Sequence, residues 1–323
     1  MPITRSIGCR LFISISLLML TGQHAAADAS PPTDEEPVAT SWQFLDAPRN
    51  AVSRRVTQFA IWLDSFFGEN RIFQEAPGNY LQLNLVHIME DHRYPRDEVQ
   101  LKGKLSLPTT QERLKLILEN DSEEVRDDTL TGAPLEDLAE RQQSLGLRYT
   151  YEETHGWKRN LDAGARFRAS SLDPFLRLQV RRLFPLGSWD LRATQSLFWY
   201  DSVGVGESSR LDFERLLNHD MLLRSSSIAT WLDDNRYFDL SQEFSLFQQL
   251  DKRRALVYQA AAYGISAPDP HVTSYALALR LRRQIHRDWL YFEINPGISF
   301  PEARDFDPVK SLSLKLEILF GSP

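Results

Sequence analysis

The sequence predicts an all-β fold, a transmembrane antiparallel β-barrel of about 14 strands, and three observations lead to it. In residues 77–323, apolar residues recur at every second position, which is the period of a strand with one apolar face. These segments are about ten residues long, the length that a tilted strand needs to cross a bilayer. Beyond the N-terminus, no run of about 18 apolar residues offers a transmembrane helix.

The alternation is clear from the first segment, where Leu81, Leu83 and Leu85 are separated by Gln82 and Asn84. About 14 such segments can be counted, and about 12 strands remain if two weak segments fail. An even number of strands brings both ends of the barrel sequence to the same side of the membrane. Short connections alternate with longer ones, and barrels place the short turns on the periplasmic side.

A soluble β-sandwich would also alternate, because its apolar face packs against a second sheet. Two features indicate that the apolar face of the strands contacts lipid rather than a second sheet. The last segment alternates through Leu316 and Ile318 to an aromatic residue, Phe320. Aromatic residues also cluster at strand ends, as in the interfacial girdles of barrels, at Tyr80, Trp157, Trp189, Trp199, Tyr200, Trp231, Tyr237 and Trp289.

The N-terminus has the order of a secretory signal peptide. Basic residues precede an apolar run from Leu11 to Leu20, and small residues up to Ala27 follow. Residues 1–27 are therefore predicted to be removed on export, and the apolar run is too short to span a bilayer as a helix. The only cysteine, Cys9, lies in this segment. We therefore expect a mature chain without disulfides or a cysteine nucleophile.

Two segments separate the signal peptide from the barrel. Residues 28–48 are rich in Pro, Asp, Glu and Thr, which predicts a disordered leader. In residues 49–76, apolar residues recur at helical spacing and end in Trp62, Phe66 and Phe67, which predicts a short amphipathic periplasmic helix. Four roles are open for this helix: it packs against the rest of the protein, plugs the lumen, lies on the membrane, or docks a periplasmic partner through its aromatic residues.

Charged residues are frequent on the strand faces that point away from the apolar side. Rings of Arg and Lys favour anions at close range, so the leading hypothesis is a narrow, anion-preferring passive channel for small solutes. In the alternative, carboxylates pair with these cations and close the interior, which leaves a structural barrel that anchors a partner. The candidate pore-lining residues are Arg148, Arg166, Arg168, Arg177, Arg181, Arg192, Arg224, Arg280, Arg282 and Lys315, with Glu243 and Glu293.

An enzyme is the least favoured class. A hydrolase at the outer rim would use His92 or His271 beside an acidic loop residue such as Asp233. Neither the histidines nor the Asp-rich loops have the spacing of a metal site, so we expect no metal and no cofactor. Gly204 and Gly206 are too sparse for a phosphate cradle and predict a loop tip. The net charge of -7 argues against a nucleic-acid partner.

Parts of the sequence resemble known barrels. Leu316, Ile318 and Phe320 resemble the C-terminal sorting signal of outer-membrane barrels. The stretch from Trp289 through Glu293, Pro296, Pro301 and Phe306 to Phe320, with Trp62–Gly68, resembles uncharacterised, porin-like proteobacterial outer-membrane barrel proteins. The resemblance implies a Gram-negative outer membrane, contact with its lipid and lipopolysaccharide, and insertion by the barrel assembly machinery. It implies no activity.

Overall fold

The computed structural model describes Phe66 and residues 79–107, 113–120, 143–151, 156–167, 172–234, 236–287 and 289–321. The described strands form a closed antiparallel barrel of 14 strands, in which each strand pairs with its sequence neighbours and β1 pairs with β14. The predicted fold class is therefore confirmed, with 14 rather than 12 strands. The strands are β1 Tyr80–Glu90, β2 Arg96–Ser106, β3 Leu114–Asn120, β4 Gln143–Thr150, β5 Trp157–Phe167, β6 Leu172–Leu186, β7 Trp189–Tyr200, β8 Gly204–Asn218, β9 Met221–Leu232, β10 Phe238–Asp251, β11 Arg254–Ile265, β12 His271–His286, β13 Leu290–Pro301 and β14 Val309–Gly321, with a 3-10 helix, Glu302–Arg304, before β14.

The barrel inverts the polarity of a soluble protein. On β1, Leu81 and Leu85 point outward and are 39% and 41% exposed, whereas Gln82 and Asn84 point inward and are 1% and 2% exposed. The same alternation continues around the barrel, so apolar side chains cover its outside and polar side chains line its inside. A bilayer requires such an apolar outer surface, together with a closed sheet in which neighbouring strands pair their backbone polar groups.

The two ends of the barrel differ in their connections. Gly187–Ser188, His219–Asp220 and Lys252–Arg253 are two-residue turns at one end, where β1 begins and β14 ends. We call this end the short-turn end and the opposite one the loop end. Since bacterial barrels keep their short turns on the periplasmic side, we expect the short-turn end to face the periplasm.

Pairing of β1 with β14 closes the barrel, from Tyr80 opposite Gly321 to Glu90 opposite Ser311. In this register Leu316, Ile318 and Phe320 all lie on the outer face of β14, as their alternation predicted. Their function as a sorting signal stays a prediction. Among the described residues, no helix combines the length and the apolar character needed to cross a membrane.

The predicted loop tip at Gly204 and Gly206 was wrong, because both residues belong to β8. Gly206 lies directly opposite Phe198 of β7. A Cβ atom at residue 206 would overlap the Phe198 ring and lie 2.8 Å from the backbone oxygen of Trp231. Glycine is therefore needed here to make room for an aromatic side chain inside the barrel.

We expect the Gly206→Ala substitution to lower the free energy of unfolding by about 1–3 kcal/mol, the usual cost of overpacking. Urea titration of the refolded protein, followed by tryptophan fluorescence, measures this loss. In a Phe198→Leu background, the same substitution should cost less, because the ring that it meets is gone. An equal cost in both backgrounds would contradict this role of Phe198.

Candidate functional site: the barrel lumen

The candidate functional site is the lumen, whose wall is densely charged. Within the described residues, seven basic and seven acidic side chains are buried. Positive and negative charge therefore balance in this set, and an excess of either sign must come from half-exposed side chains. The buried basic residues are Lys104, Arg148, Arg166, Arg177, Arg224, Arg280 and Arg282, and the buried acidic ones are Asp162, Asp173, Asp212, Glu214, Glu243, Glu293 and Glu317.

On the wall formed by β3 to β6, two guanidinium groups share two carboxylates. Arg148 donates to Asp162 from Nε at 2.7 Å and from Nη2 at 2.8 Å. Arg177 donates to the same carboxylate from Nε at 2.8 Å and from Nη2 at 2.6 Å. Glu119 accepts from both arginines, at 3.2 Å and 2.9 Å. Because unpaired buried ions are costly, these four side chains stabilise the wall only as a set.

A second cluster lies nearer the loop end. Arg166 pairs with Asp173, and its guanidinium carbon lies 3.6 Å from the centroid of the Tyr200 ring. Asp173 also accepts hydrogen bonds from the backbone nitrogen and the hydroxyl of Ser202, at 2.9 Å and 2.8 Å. Since Ser202 belongs to the β7–β8 loop, this cluster fixes the loop to the inner wall of β5 and β6.

On β8 and β9 one ion pair joins adjacent strands and another lies within β8. Arg224 donates from Nε to Glu214 at 2.8 Å, and its guanidinium carbon lies 4.7 Å from the centroid of the Phe247 ring. Arg210 donates from Nε to Asp212 at 3.0 Å. Each guanidinium thus has a carboxylate partner on the wall, which reduces the charge that a solute in the lumen would meet.

The β12–β14 wall carries a fourth cluster. Arg282 donates to both carboxylate oxygens of Glu317, with Nη1 at 2.8 Å from Oε2. Nη1 also lies 3.6 Å from Glu293, whose other oxygen is 3.2 Å from the Lys315 ammonium. The Arg282 guanidinium carbon lies 4.3 Å from the centroid of the Tyr291 ring. This cluster is close to the short-turn end, since Tyr291 is the second residue of β13.

Phe66 enters the lumen at the short-turn end and is 5% exposed. Its ring meets the Tyr291 ring edge to face, with centroids 5.8 Å apart, and the Arg282 guanidinium carbon lies 5.9 Å from its centroid. Phe66 is the one residue of the predicted helix that the structure describes, and it is helical. The apolar residues around it, which we call the collar, are Leu222, Phe247, Ala255, Val257, Tyr291 and Leu319.

The collar covers only one side of the short-turn end, because its residues belong to β9, β10, β11, β13 and β14. Inward positions on the opposite side are mainly basic, and Asp190 is a carboxylate on the same stretch. The short-turn end therefore has an apolar half, filled by Phe66, and a charged half. We call the basic residues of the charged half the basic wall: Lys102, Lys104, Lys115, Lys158, Arg181 and Arg192.

The predicted lining residues lie on inner faces wherever the structure describes them. Of those not yet located, Arg280 is 6% exposed on β12, and Glu243 on β10 accepts a hydrogen bond from Gln259 at 3.2 Å. Arg168, Trp62 and Phe67 lie outside the described residues.

Sequence reasoning missed several charged residues of the inner face, among them Glu90, Arg96, Glu98, Lys158, Asp173 and Arg210. Asp173 lies before Pro174, yet β6 includes this proline at an outward position, so Asp173 belongs to the strand and faces inward. Arg210 was missed because the glycines before it suggested a loop. The register with Thr194 of β7 would have assigned Arg210 to the inner face.

At the loop end, His271 has two contacts outside the lumen. Its Nε2 lies 3.2 Å from a carboxylate oxygen of Glu302, and its Nδ1 lies 2.7 Å from the backbone oxygen of Asp269. These contacts join the start of β12 to the 3-10 helix before β14 and to the β11–β12 loop. His92 lies in the β1–β2 turn with a φ of 65°.

No protein-family model and no curated protein matches the chain at a significant level. Solved structures with a similar fold are outer-membrane proteins. The loop L8 deletion mutant of OmpT from Vibrio cholerae is 10% identical with a TM-score of 0.47, and the match covers 75% of this chain and 98% of that one. For OccK2 (OpdF) of Pseudomonas aeruginosa, identity is 10%, the TM-score is 0.45, and coverage is 76% and 98%.

The outer membrane channel DcaP of Acinetobacter baumannii is 8% identical with a TM-score of 0.43, and the match covers 75% of this chain and 96% of that one. These likenesses concern the fold alone. The resemblance to a particular proteobacterial family stays a prediction.

Proposed function

We propose that the protein is a passive outer-membrane channel for small polar solutes, with a preference for anions, whose lumen is obstructed at the short-turn end by Phe66. The observation that carries this proposal is the position of Phe66, which is buried within the collar although it lies outside the barrel sequence. Closure by a separate segment is reversible, because it rests on noncovalent contacts that break without any change in the strands.

A purely structural barrel would need no such segment, since inward side chains of its own strands would fill the lumen. The collar instead offers an apolar surface that fits one aromatic ring, beside a wall that is otherwise polar. Among the four roles open for the predicted helix, burial of Phe66 supports packing inside the barrel, as in a plug, over an exposed docking patch. A plugged channel also explains the ion pairs along the lumen wall, because paired charges keep this wall polar and nearly neutral.

The preference for anions rests on the basic wall. The six basic residues of this wall outnumber the carboxylate on the same stretch, Asp190, and this excess would favour anions at the short-turn end. Arg181 and Arg192 point inward from neighbouring strands and are half-buried. Side chains of one sign at a narrow point set selectivity because a permeating ion passes them at close range.

We expect neutralisation of Lys158, Arg181 and Arg192 with glutamine to shift the reversal potential toward cations. Across a tenfold salt gradient, the Phe66→Ala channel should show anion preference, and addition of the three substitutions should remove most of it. The matched control is Lys310→Gln, an outward residue of β14 at the loop end, which should leave the reversal potential unchanged. An unchanged potential in the triple variant would contradict the role of the basic wall.

The test of the proposed function itself is conductance of the refolded mature chain in a planar bilayer. We expect rare, discrete openings from the native chain and frequent ones from Phe66→Ala. Correct folding is checked by the shift in gel mobility between unheated and boiled samples. If both folded proteins leave the bilayer silent, the protein is not a channel.

A further inference from the structure

Four arginines on the outer face differ from those in the lumen. Arg159, Arg182, Arg215 and Arg283 point outward, and all four lie near the short turns at the ends of their strands. Within the described part of the chain, no carboxylate pairs with any of them, whereas Arg148 and Arg282 in the lumen each have one. The outer surface at this end thus carries positive charge that the described residues leave uncompensated.

Aromatic residues hold two of these arginines at a defined level. The Arg182 guanidinium carbon lies 4.7 Å from the Trp157 ring centroid and 4.5 Å from that of Phe184. The Arg215 guanidinium carbon lies 5.5 Å from the Trp189 ring centroid. Tryptophan side chains at the ends of membrane strands lie at the level of the lipid head groups. The guanidinium groups therefore lie where the phosphates of the adjoining leaflet lie.

The carboxylates near the short-turn end contact other residues or face the lumen. Asp251 accepts a hydrogen bond from Arg254 at 2.6 Å, and Asp220 lies 2.8 Å from His219. Asp190 and Glu214 belong to inner faces. Among the described residues, the outward strand positions next to the short turns hold mostly apolar, aromatic and basic side chains, and the acidic one, Asp251, is paired with Arg254. A negative counterion for the four arginines must therefore come from outside the described chain.

We propose that Arg159, Arg182, Arg215 and Arg283 form a binding surface for anionic phospholipid head groups in the leaflet at the short-turn end. We call this surface the arginine girdle. A guanidinium offers a planar fork of N–H donors that matches two phosphate oxygens, and aromatic stacking holds the fork in place. Attraction of cationic side chains to an anionic membrane surface acts at this level as well. The lipid would occupy the outer surface of the barrel and leave the lumen unaffected.

The test compares lipid retention by full-length mature protein in detergent micelles. The refolded protein is incubated with an equimolar mixture of phosphatidylglycerol and phosphatidylcholine, and the bound lipids are counted by native mass spectrometry. We expect the native chain to prefer phosphatidylglycerol by about tenfold. The variant with all four arginines replaced by glutamine should bind the two lipids about equally. The matched control is Arg254→Gln at the same end, where the arginine already has Asp251 as a partner, and it should keep the preference.

Single substitutions keep the test decisive if the fourfold variant does not fold. Arg182→Gln and Arg215→Gln should each reduce the preference severalfold, with the gel mobility shift showing an intact barrel. Equal retention of both lipids by the native chain would overturn the proposal, as would an intact preference in the folded variants. An equal loss in Arg254→Gln would also overturn it, because the effect would then follow total charge rather than these four positions.

Discussion

The Phe66→Ala variant is expected to open about ten to a hundred times more often than the native channel. Full burial of a phenylalanine side chain is worth about 1.5–3 kcal/mol, and each 1.4 kcal/mol changes an equilibrium by about tenfold. Phe66 is 5% exposed and packs against the collar, so its loss removes most of this contact from the closed state. Single-channel recording in a planar bilayer measures the fraction of time spent open.

Two further variants make this result specific. Phe247→Ala removes a collar residue instead of the plug and should also raise the open fraction. Phe244→Ala removes the same kind of ring from the outer face, where it is 52% exposed, and should leave gating unchanged. If Phe66→Ala opens no more often than Phe244→Ala, Phe66 does not close the lumen.

The second large effect is expected at Asp162. In the Asp162→Asn variant, Arg148 and Arg177 remain buried at 1% and 2% exposure and share Glu119 as their carboxylate partner. Removal of one partner from a buried ion cluster costs about 3–5 kcal/mol, since a charge is left uncompensated. Urea unfolding in lipid vesicles should show this loss as a lower midpoint with an unchanged slope.

The matched control is Asp97→Asn, which breaks the exposed pair with His87 and should change stability by less than about 1 kcal/mol. Adding Arg177→Gln to Asp162→Asn should recover part of the stability, because it removes the uncompensated cation. A loss at Asp162 as small as that at Asp97 would mean that water or other groups compensate the arginines.

The strand count and the faces of the strands were predictable because a period of two repeats wherever one face meets lipid. Leu81 to Leu85 and Leu312 to Phe320 show this pattern without interruption, and the structure confirms them as outward-facing. Prediction failed where a strand departs from the rule. Pro174 lies inside β6, and Gly204 and Gly206 open β8, although both residue types normally mark turns.

Which charged residues of the lumen pair with each other could not be predicted from the sequence. Arg148 of β4 and Arg177 of β6 meet on Asp162 of β5 because the register of three strands brings them together, and alternation carries no information about register. The collar around Phe66 could not be predicted for the same reason, since its members come from five strands. The sequence shows the aromatic residues at the end of the predicted helix. The collar that packs against Phe66 forms only when the barrel closes, so the sequence does not show it.

Phe66 precedes β1 in the chain, and both lie at the short-turn end. In the proposed function, the plug is a ligand tethered beside its own receptor site, and a short tether gives an effective concentration in the millimolar range. Closure would then be a unimolecular reaction, whose equilibrium does not change with expression level or dilution. Each barrel would carry its own blocker in a fixed one-to-one ratio, and a competing molecule would have to exceed that local concentration to hold the channel open.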